Sequence, residues 1–339
     1  MRKRVRAGVP SKKTHAVIFG ALAVLLLAAV TVYIYSRTFA KSERLGLPMT
    51  RDAFTSITGR AVPHLIGMAA SGIVIASVSL AFQTVTESRI LTPSMIGFDS
   101  VFVGTQTLIV FFLGSAAKIF ANAYLNYLIS AGVMIVVSML MYGAVLRKNK
   151  NNIVFLLMFG LILSGIIRSG ASYLQVIMNA NDFYQVRAAT AVTVNNMNTD
   201  IIYLAAPLML AVSLAMFLRA RTYDVMSLGA ANAKSLGVRY EREVNFNLII
   251  ISLGMSISTA LIGSLTFLGL LAVNISREIF KTYKHSTLFF ASGAVAALAL
   301  IAGQAITELL QGAIPLTVVI DLAGCSYMFY LILKENKKV

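Results

Sequence analysis

The stretch FNLIIISLGMSISTALIGSLTFLGLLAVNISREIF, residues 246–280, decides how this chain is built. As one helix it would run roughly 52 Å at 1.5 Å per residue, well past a hydrocarbon core of about 30 Å. Gly263 and Ser264 stand in its middle, and a Gly/Ser pair is a common place for a helix to break. The stretch therefore reads as one full membrane span, about 246–262, and a shorter segment, about 265–280. Outward from it, apolar runs long enough to cross lie near 16–36, 61–82, 95–114, 123–146, 153–175, 200–218, 287–307 and 315–333. The expected architecture is an all-α polytopic membrane protein of about ten transmembrane helices, with a short or broken segment near 265–280.

Composition agrees. Of 339 residues 58% are apolar and 12% charged, where a soluble domain carries about 25% charged residues. The formal net charge of +16 would suit a nucleic-acid binder, but the cations stand in short loops between apolar runs, where they signal topology. Ten crossings with both termini cytoplasmic put 21 of the 29 basic residues inside; nine would strand Lys334, Lys337 and Lys338 outside. The expected division is a basic cytoplasmic N-terminus (1–15), one membrane domain (16–333) with a cytoplasmic loop at 219–245, and a cytoplasmic tail (334–339). The first apolar run of about 20 residues exceeds a signal-peptide h-region of 7–15 and reads as a retained span.

One cysteine, Cys325, excludes an internal disulfide and a cysteine metal cluster, and His15, His64 and His285 show no ligand spacing. No metal, cofactor or catalytic group is expected. No G-x-x-x-x-G-K-[ST] pattern occurs, so transport powered by ATP would need another chain to hydrolyse it.

The most informative loop runs Asp224-Val-Met-Ser-Leu-Gly-Ala-Ala-Asn-Ala-Lys-Ser-Leu-Gly237. Gly229 opens a short helix between spans 6 and 7, and Gly237 suits the left-handed residue after a helix end. Ala230, Ala231 and Ala233 allow close approach of another protein; a helix that merely lies on lipid has the same spacing.

The pattern Met226-x-Leu228-Gly229-x-x-x-Ala233-x-x-Leu236-Gly237 resembles the coupling loop of the iron-chelate (ferric siderophore) and cobalamin ABC importer permeases, the FecCD type. Three further regions resemble that family: Arg60-x-x-Pro63, Gly72, Gln83 and Pro93-x-x-x-Gly97; Gly263-x-x-x-Phe267-x-Gly269-Leu270 with Arg277; and Pro315 with Gly324. The resemblance covers about 60–333. It departs where the family's Pro-His falls on Val273-Asn274, its second Arg on His64, its Ser-Gly on Val78-Ser79, and an outer Arg of the ninth span on Glu308. These departures point to one half of an unlike permease pair, with a homodimer as the alternative.

The resemblance implies two cytoplasmic ATPase subunits contacting Met226, Leu228, Gly229, Ala233, Leu236 and Gly237. It implies a second permease subunit, and an extracellular substrate-binding protein that docks on arginines, here Arg60 and then Arg51 in the expected outer loop 37–60. It implies a path lined partly by the fifth span, with Ser164 and Arg168, then Ser79 and Gln83, as candidates, and a ferric siderophore as cargo, haem or cobalamin being the alternative. Helix packing is the competing explanation for the serines. Gly160, Gly165, Gly170 and Gly263 read as packing or bending points, the methionines as core filler and Cys325 as buried. The expected setting is a bacterial plasma membrane, in contact with lipid and no nucleic acid. An ion-coupled secondary transporter is the rival class, but paired intramembrane carboxylates and repeated halves are not evident in sequence.

Overall fold

The computed structural model describes residues 12–40, 51–117, 122–148, 153–192, 194, 197–310 and 312–336. Helices and turns account for all of the regular structure among them. In chain order they are α1 (Lys12–Tyr35, running into a π turn at Ser36–Ala40), α2 (Arg51–Val85), a 3₁₀ turn (Pro93–Ile96), α3 (Phe98–Leu113), α4 (Ala123–Lys148), α5 (Ile153–Ile177), α6 (Ala180–Thr190) and α7 (Thr199–Leu218). Then follow α8 (Ala220–Met226), α9 (Ala230–Ser235), α10 (Tyr240–Ile262), α11 (Leu268–Phe280), α12 (His285–Leu309) and α13 (Leu316–Asn336).

Seven of these helices are long and apolar enough to cross a membrane, and Phe98–Leu113 and Leu316–Tyr330 form shorter apolar helices. The tenth is α11, whose 13 residues span roughly 20 Å. It follows the break expected at Gly263, where α10 ends and φ is +92°. Helix is the outcome because lipid offers backbone groups no partners, so each segment must bond to itself. Hydroxyls in the spans obey the same constraint by turning back on their own helix: Ser77 donates to the Ile73 carbonyl at 2.7 Å, Ser138 to Met134 at 2.7 Å and Ser276 to Ala272 at 2.7 Å.

Helix α2 is the hub. It packs on α12, α7, α10 and α11, and 78% of its span is buried. A Cβ at Gly72 would lie 2.9 Å from the Ala297 backbone nitrogen, so the backbones of α2 and α12 are in direct contact there. Helix α5 is the opposite extreme: it packs on α3 and α4, and only 11% of its span is covered.

Two contacts fix the sense of the bundle. His15 Nε2 meets the Phe280 carbonyl at 3.2 Å, and Tyr327 Oη donates to Glu278 Oε2 at 2.9 Å. The start of α1 and the later turns of α13 thus lie at the same end as the α11–α12 turn, as an even number of crossings requires. At the opposite end His64 Nε2 meets the Met197 carbonyl at 3.2 Å. His64 is buried, so the residue standing for the family's second arginine serves the interior.

Several expectations are corrected. Residues 51–60, expected in a loop, are the first turns of the 35-residue α2. Span 7 begins at Tyr240 rather than 246. Between spans 5 and 6 lies the short helix α6, capped by the Asn179 side chain accepting from the Asp182 backbone nitrogen. A Cβ added at Gly165 or Gly170 would meet nothing within 4 Å, so these are outward positions, not packing points. Cys325 is partly exposed. Asp99 and Asp321 each keep a buried Oδ1 without a hydrogen bond. Asp99 lies in the first turn of α3 and accepts from Thr266 Oγ1 at 2.8 Å, so the starts of α3 and α11 meet at this carboxylate.

Candidate functional site: a tethered two-helix surface at the basic end

Between α7 and α10 the chain makes two short helices where one was expected. They are separated by Ser227–Gly229. Gly229, φ +91°, starts α9, and Gly237, φ +86°, follows it. At Gly237 the nitrogens of Gly237 and Val238 donate to the carbonyls of Lys234 and Ala233, each at 3.0 Å. This paired closure needs a left-handed residue, which glycine adopts without a Cβ clash. The helix stop expected at Gly237 is therefore present.

The six expected contact residues divide by burial. Met226 and Ala233 are fully buried beneath the surface, whereas Leu228 is 54% and Leu236 63% exposed. Gly229 is half-buried and Gly237 exposed. Met226 and Ala233 therefore act as the keel on which the two leucines are presented.

The surface is tied to three spans. Tyr223 Oη donates to Asn247 Oδ1 at 2.6 Å on α10; burial pushes this phenol's pKa up, so it remains a neutral donor. Arg219 Nη2 donates to Glu243 Oε1 at 2.7 Å, and its guanidinium lies 4.2 Å from the Phe246 ring centre. Asp224 Oδ1 accepts from the His285 backbone nitrogen at 2.7 Å and faces His285 Nδ1 at 2.8 Å. His285 Nε2 in turn meets Thr84 Oγ1 at 2.8 Å. An ionised carboxylate only accepts, so Nδ1 carries the proton. The chain Asp224–His285–Thr84 thereby joins the surface to α12 and α2, and Lys234 adds an ion pair to Glu241.

Beside this surface lies a cavity of about 750 Å³, between Leu228 and Gly229 on one side and the ends of α2 and α11 on the other. Gln83 lines it, with Oε1 accepting from Arg277 Nη1 at 2.9 Å.

The other expected residues do not converge. Ser79 is buried, and a Cβ at Gly269 of α11 would collide with it. Ser164 Oγ lies 2.7 Å from Ser100 Oγ across the α3–α5 contact. Arg168 is exposed on α5, as are Gly165, Ser169 and Ser172. Arg51 and Arg60 lie in the first turns of α2; their side chains fall outside the described residues. Sequence reasoning missed Asp224, His285, Thr84 and Asn247 as anchors. The available signal was polar residues at the start or end of apolar spans, which lipid alone gives no reason to keep. Among the described residues no three His, Cys, Asp or Glu side chains gather as a metal site.

Comparisons with known proteins bear on the family and the fold. The model of the FecCD transport family matches residues 16–334. The petrobactin import system permease protein YclO of Bacillus subtilis is 38% identical over 279 residues, covering 82% of this chain and 89% of that protein. The petrobactin import system permease protein FatC of Bacillus anthracis is 28% identical, covering 84% and 78%. The petrobactin import system permease protein YclN of Bacillus subtilis is 24% identical, covering 70% and 73%. A solved structure of an ABC transporter assigned to the metal-chelate type, in an inward-facing conformation, superposes with a TM-score of 0.79 at 19% identity, over 94% of this chain and 99% of that one. At that identity the likeness bears on the fold.

Proposed function

Because the chain belongs to the FecCD transport family, we propose that this multi-pass membrane protein is the permease subunit of an ATP-driven importer that takes up a ferric siderophore. The observation that carries the reading is the tethered surface. Leu228 and Leu236 stand just past the ends of two short helices, beside Gly229 and Gly237, and hydrogen bonds run from the first of those helices to α10 and α12 and, through His285, to α2. Such a device suits a chain that hydrolyses nothing itself and is moved by another. Two ATPase subunits dock on Leu228, Gly229, Leu236 and Gly237, with Met226 and Ala233 holding the shape beneath. Their closure on nucleotide shifts α8 and α9 and reorients α2, α10 and α12. The surface then faces the cytoplasm of a bacterial cell, as do both termini.

Helix α5 supports the pairing. Its exposed Gly165, Arg168, Ser169 and Ser172 recur at three- and four-residue spacing, hence on one side. That side faces a second permease across the path, with Arg168 nearest the cargo; Ser164, turned to Ser100 of α3, and Ser79 and Gln83, enclosed within this chain, leave the path. Relatives that carry one system name under two permease names, YclO and YclN, favour an unlike pair. A substrate-binding protein docks at the opposite end near Arg60 and Arg51. Surface ion pairs contribute about 0–1 kcal/mol each, so the double reversal Arg51→Glu with Arg60→Glu is the informative variant.

Reconstitution tests the reading. Proteoliposomes holding this chain, its partner permease and the ATPase should import a labelled ferric siderophore only with ATP inside and binding protein outside. Import of haem or cobalamin in preference would reassign the cargo. The buried Oδ1 atoms of Asp99 and Asp321, each without a hydrogen bond, favour one alternative, an ion-coupled carrier. Uptake by this chain alone along a proton or sodium gradient would establish it.

A further inference from the structure

The cavity beside Leu228 and Gly229 is lined by Arg89, Arg277 and Lys281, with Glu87 as its one acidic side chain. Its other titratable groups are Tyr283 and His285, and His285 is engaged by Asp224. Among the described residues Arg89, Arg277 and Lys281 have no carboxylate within ion-pair distance. Arg277 is held by the Gln83 amide oxygen instead, although Arg89 is close enough to repel it. Gln83 is 3% exposed. With its oxygen occupied by Arg277, its Nε2 is left buried with no acceptor. The Arg89 backbone is fixed in turn, its carbonyl accepting from Asn274 Nδ2 at 2.9 Å. Glu87 (φ +51°) and Lys281 (φ +44°), the two non-glycine residues with left-handed backbone among those described, both line this cavity.

A polar chamber rich in unpaired N–H donors and short of acceptors fits an oxyanion. A buried amide N–H without an acceptor, as at Gln83, is costly unless one arrives, and the half-buried Arg277 and the exposed Arg89 and Lys281 add positive charge around it. We propose that the cavity receives a carboxylate from the ATPase subunit, an aspartate or glutamate side chain that enters beside Leu228 and is gripped by Arg277, Lys281 and the Gln83 amide. The proposal rests on the reading that the ATPase docks on the two-helix surface, because the cavity opens against that surface and is continuous with it. It adds an electrostatic latch to the apolar contact of the two leucines, so assembly should weaken as salt rises.

The test uses the permease pair in lipid nanodiscs, titrated with its purified ATPase at several sodium chloride concentrations. Arg277→Gln and, independently, the exposed Lys281→Gln should each weaken binding about tenfold at low salt and flatten its salt dependence. Arg277→Lys should recover part of the loss. Leu228→Ala should weaken binding while leaving the salt slope unchanged. If both charge variants bind with wild-type affinity and slope while Leu228→Ala does not, the latch is overturned and the docking surface stands. If all three bind as wild type, the docking reading falls and the latch with it. Competition by inorganic phosphate that Lys281→Gln abolishes supports the latch. Tight phosphate binding in the absence of any charge effect on ATPase affinity overturns it in favour of a free anion.

Discussion

Asp224 and His285, 61 positions apart, are joined twice, through the backbone nitrogen of His285 at 2.7 Å and through its Nδ1 at 2.8 Å. One carboxylate thus closes the first turn of α12 and orients the imidazole whose far nitrogen reaches Thr84 on α2. Hydrogen bonds to a charged group contribute about 1.5–3 kcal/mol, so the pair should decide whether motion of α8 reaches the spans. Asp224→Ala should leave ATPase hydrolysis running and lower uptake roughly tenfold or more. His285→Ala should do the same. Because the two side chains act as one unit, the double variant should be no worse than either single one. Transport and hydrolysis measured side by side in proteoliposomes check this, and simple additivity would count against a shared link.

Gly229 and Gly237 fail by different routes when changed. A Cβ at Gly237 meets nothing within 4 Å, and at Gly229 it meets only Glu87 Oε1 at 3.7 Å. The penalty of alanine at either site is therefore backbone strain, about 1 kcal/mol at positive φ. Gly237→Ala should lower coupling modestly. Gly229→Trp adds bulk to the presented surface and should abolish uptake with membrane insertion intact. Normal uptake by Gly229→Trp, with assembly verified by size-exclusion chromatography, would refute the docking surface.

Gly72 separates packing from transport. The space at this glycine is already filled by the α12 backbone, and overpacking a tight contact costs about 1–3 kcal/mol. Gly72→Leu should lower the unfolding temperature of the purified protein by several degrees and reduce its yield. Gly165→Ala, on open surface, should leave the unfolding temperature unchanged. Thermal melts in detergent compare the two directly.

What the sequence made legible was local. The break at Gly263 and the stop at Gly237 follow from nearby residues: a Gly-Ser pair in an overlong apolar run, and a glycine after a short helix. The anchors were not legible, because Asp224–His285, Gln83–Arg277 and Asp99–Thr266 join residues far apart in the chain. Length alone also misleads. Residues 246–280 and 51–85 are equally long, yet the second is one continuous helix. The difference is polarity at one end. Arg51, Asp52 and Arg60 let the start of α2 project beyond the hydrocarbon, while 246–280 is apolar on both sides of its glycine. Met226 and Ala233 show a further limit: a motif identifies a loop, but which of its residues face inward depends on the packing beneath.

Asp321 gives the sharpest separation between the two ways such a bundle could be driven. Its Oδ1 is buried without a hydrogen-bond partner, and an ion-driven carrier would place a coupling cation at such a carboxylate. Asp321→Asn keeps the shape and removes the charge. If ATPase subunits supply the force, this variant should retain at least half of wild-type uptake, because no cation needs to be carried there. Uptake by both proteins should then persist when a protonophore and a sodium ionophore collapse the gradients with ATP held constant. If ions supply the force, Asp321→Asn should lose uptake almost completely, and wild-type uptake should stop with the gradient while ATP remains. Initial rates of labelled ferric siderophore uptake, in proteoliposomes with internal ATP fixed, distinguish the outcomes. Gradient-dependent uptake together with a dead Asp321→Asn would displace the ATP-driven mechanism in favour of the ion-coupled one.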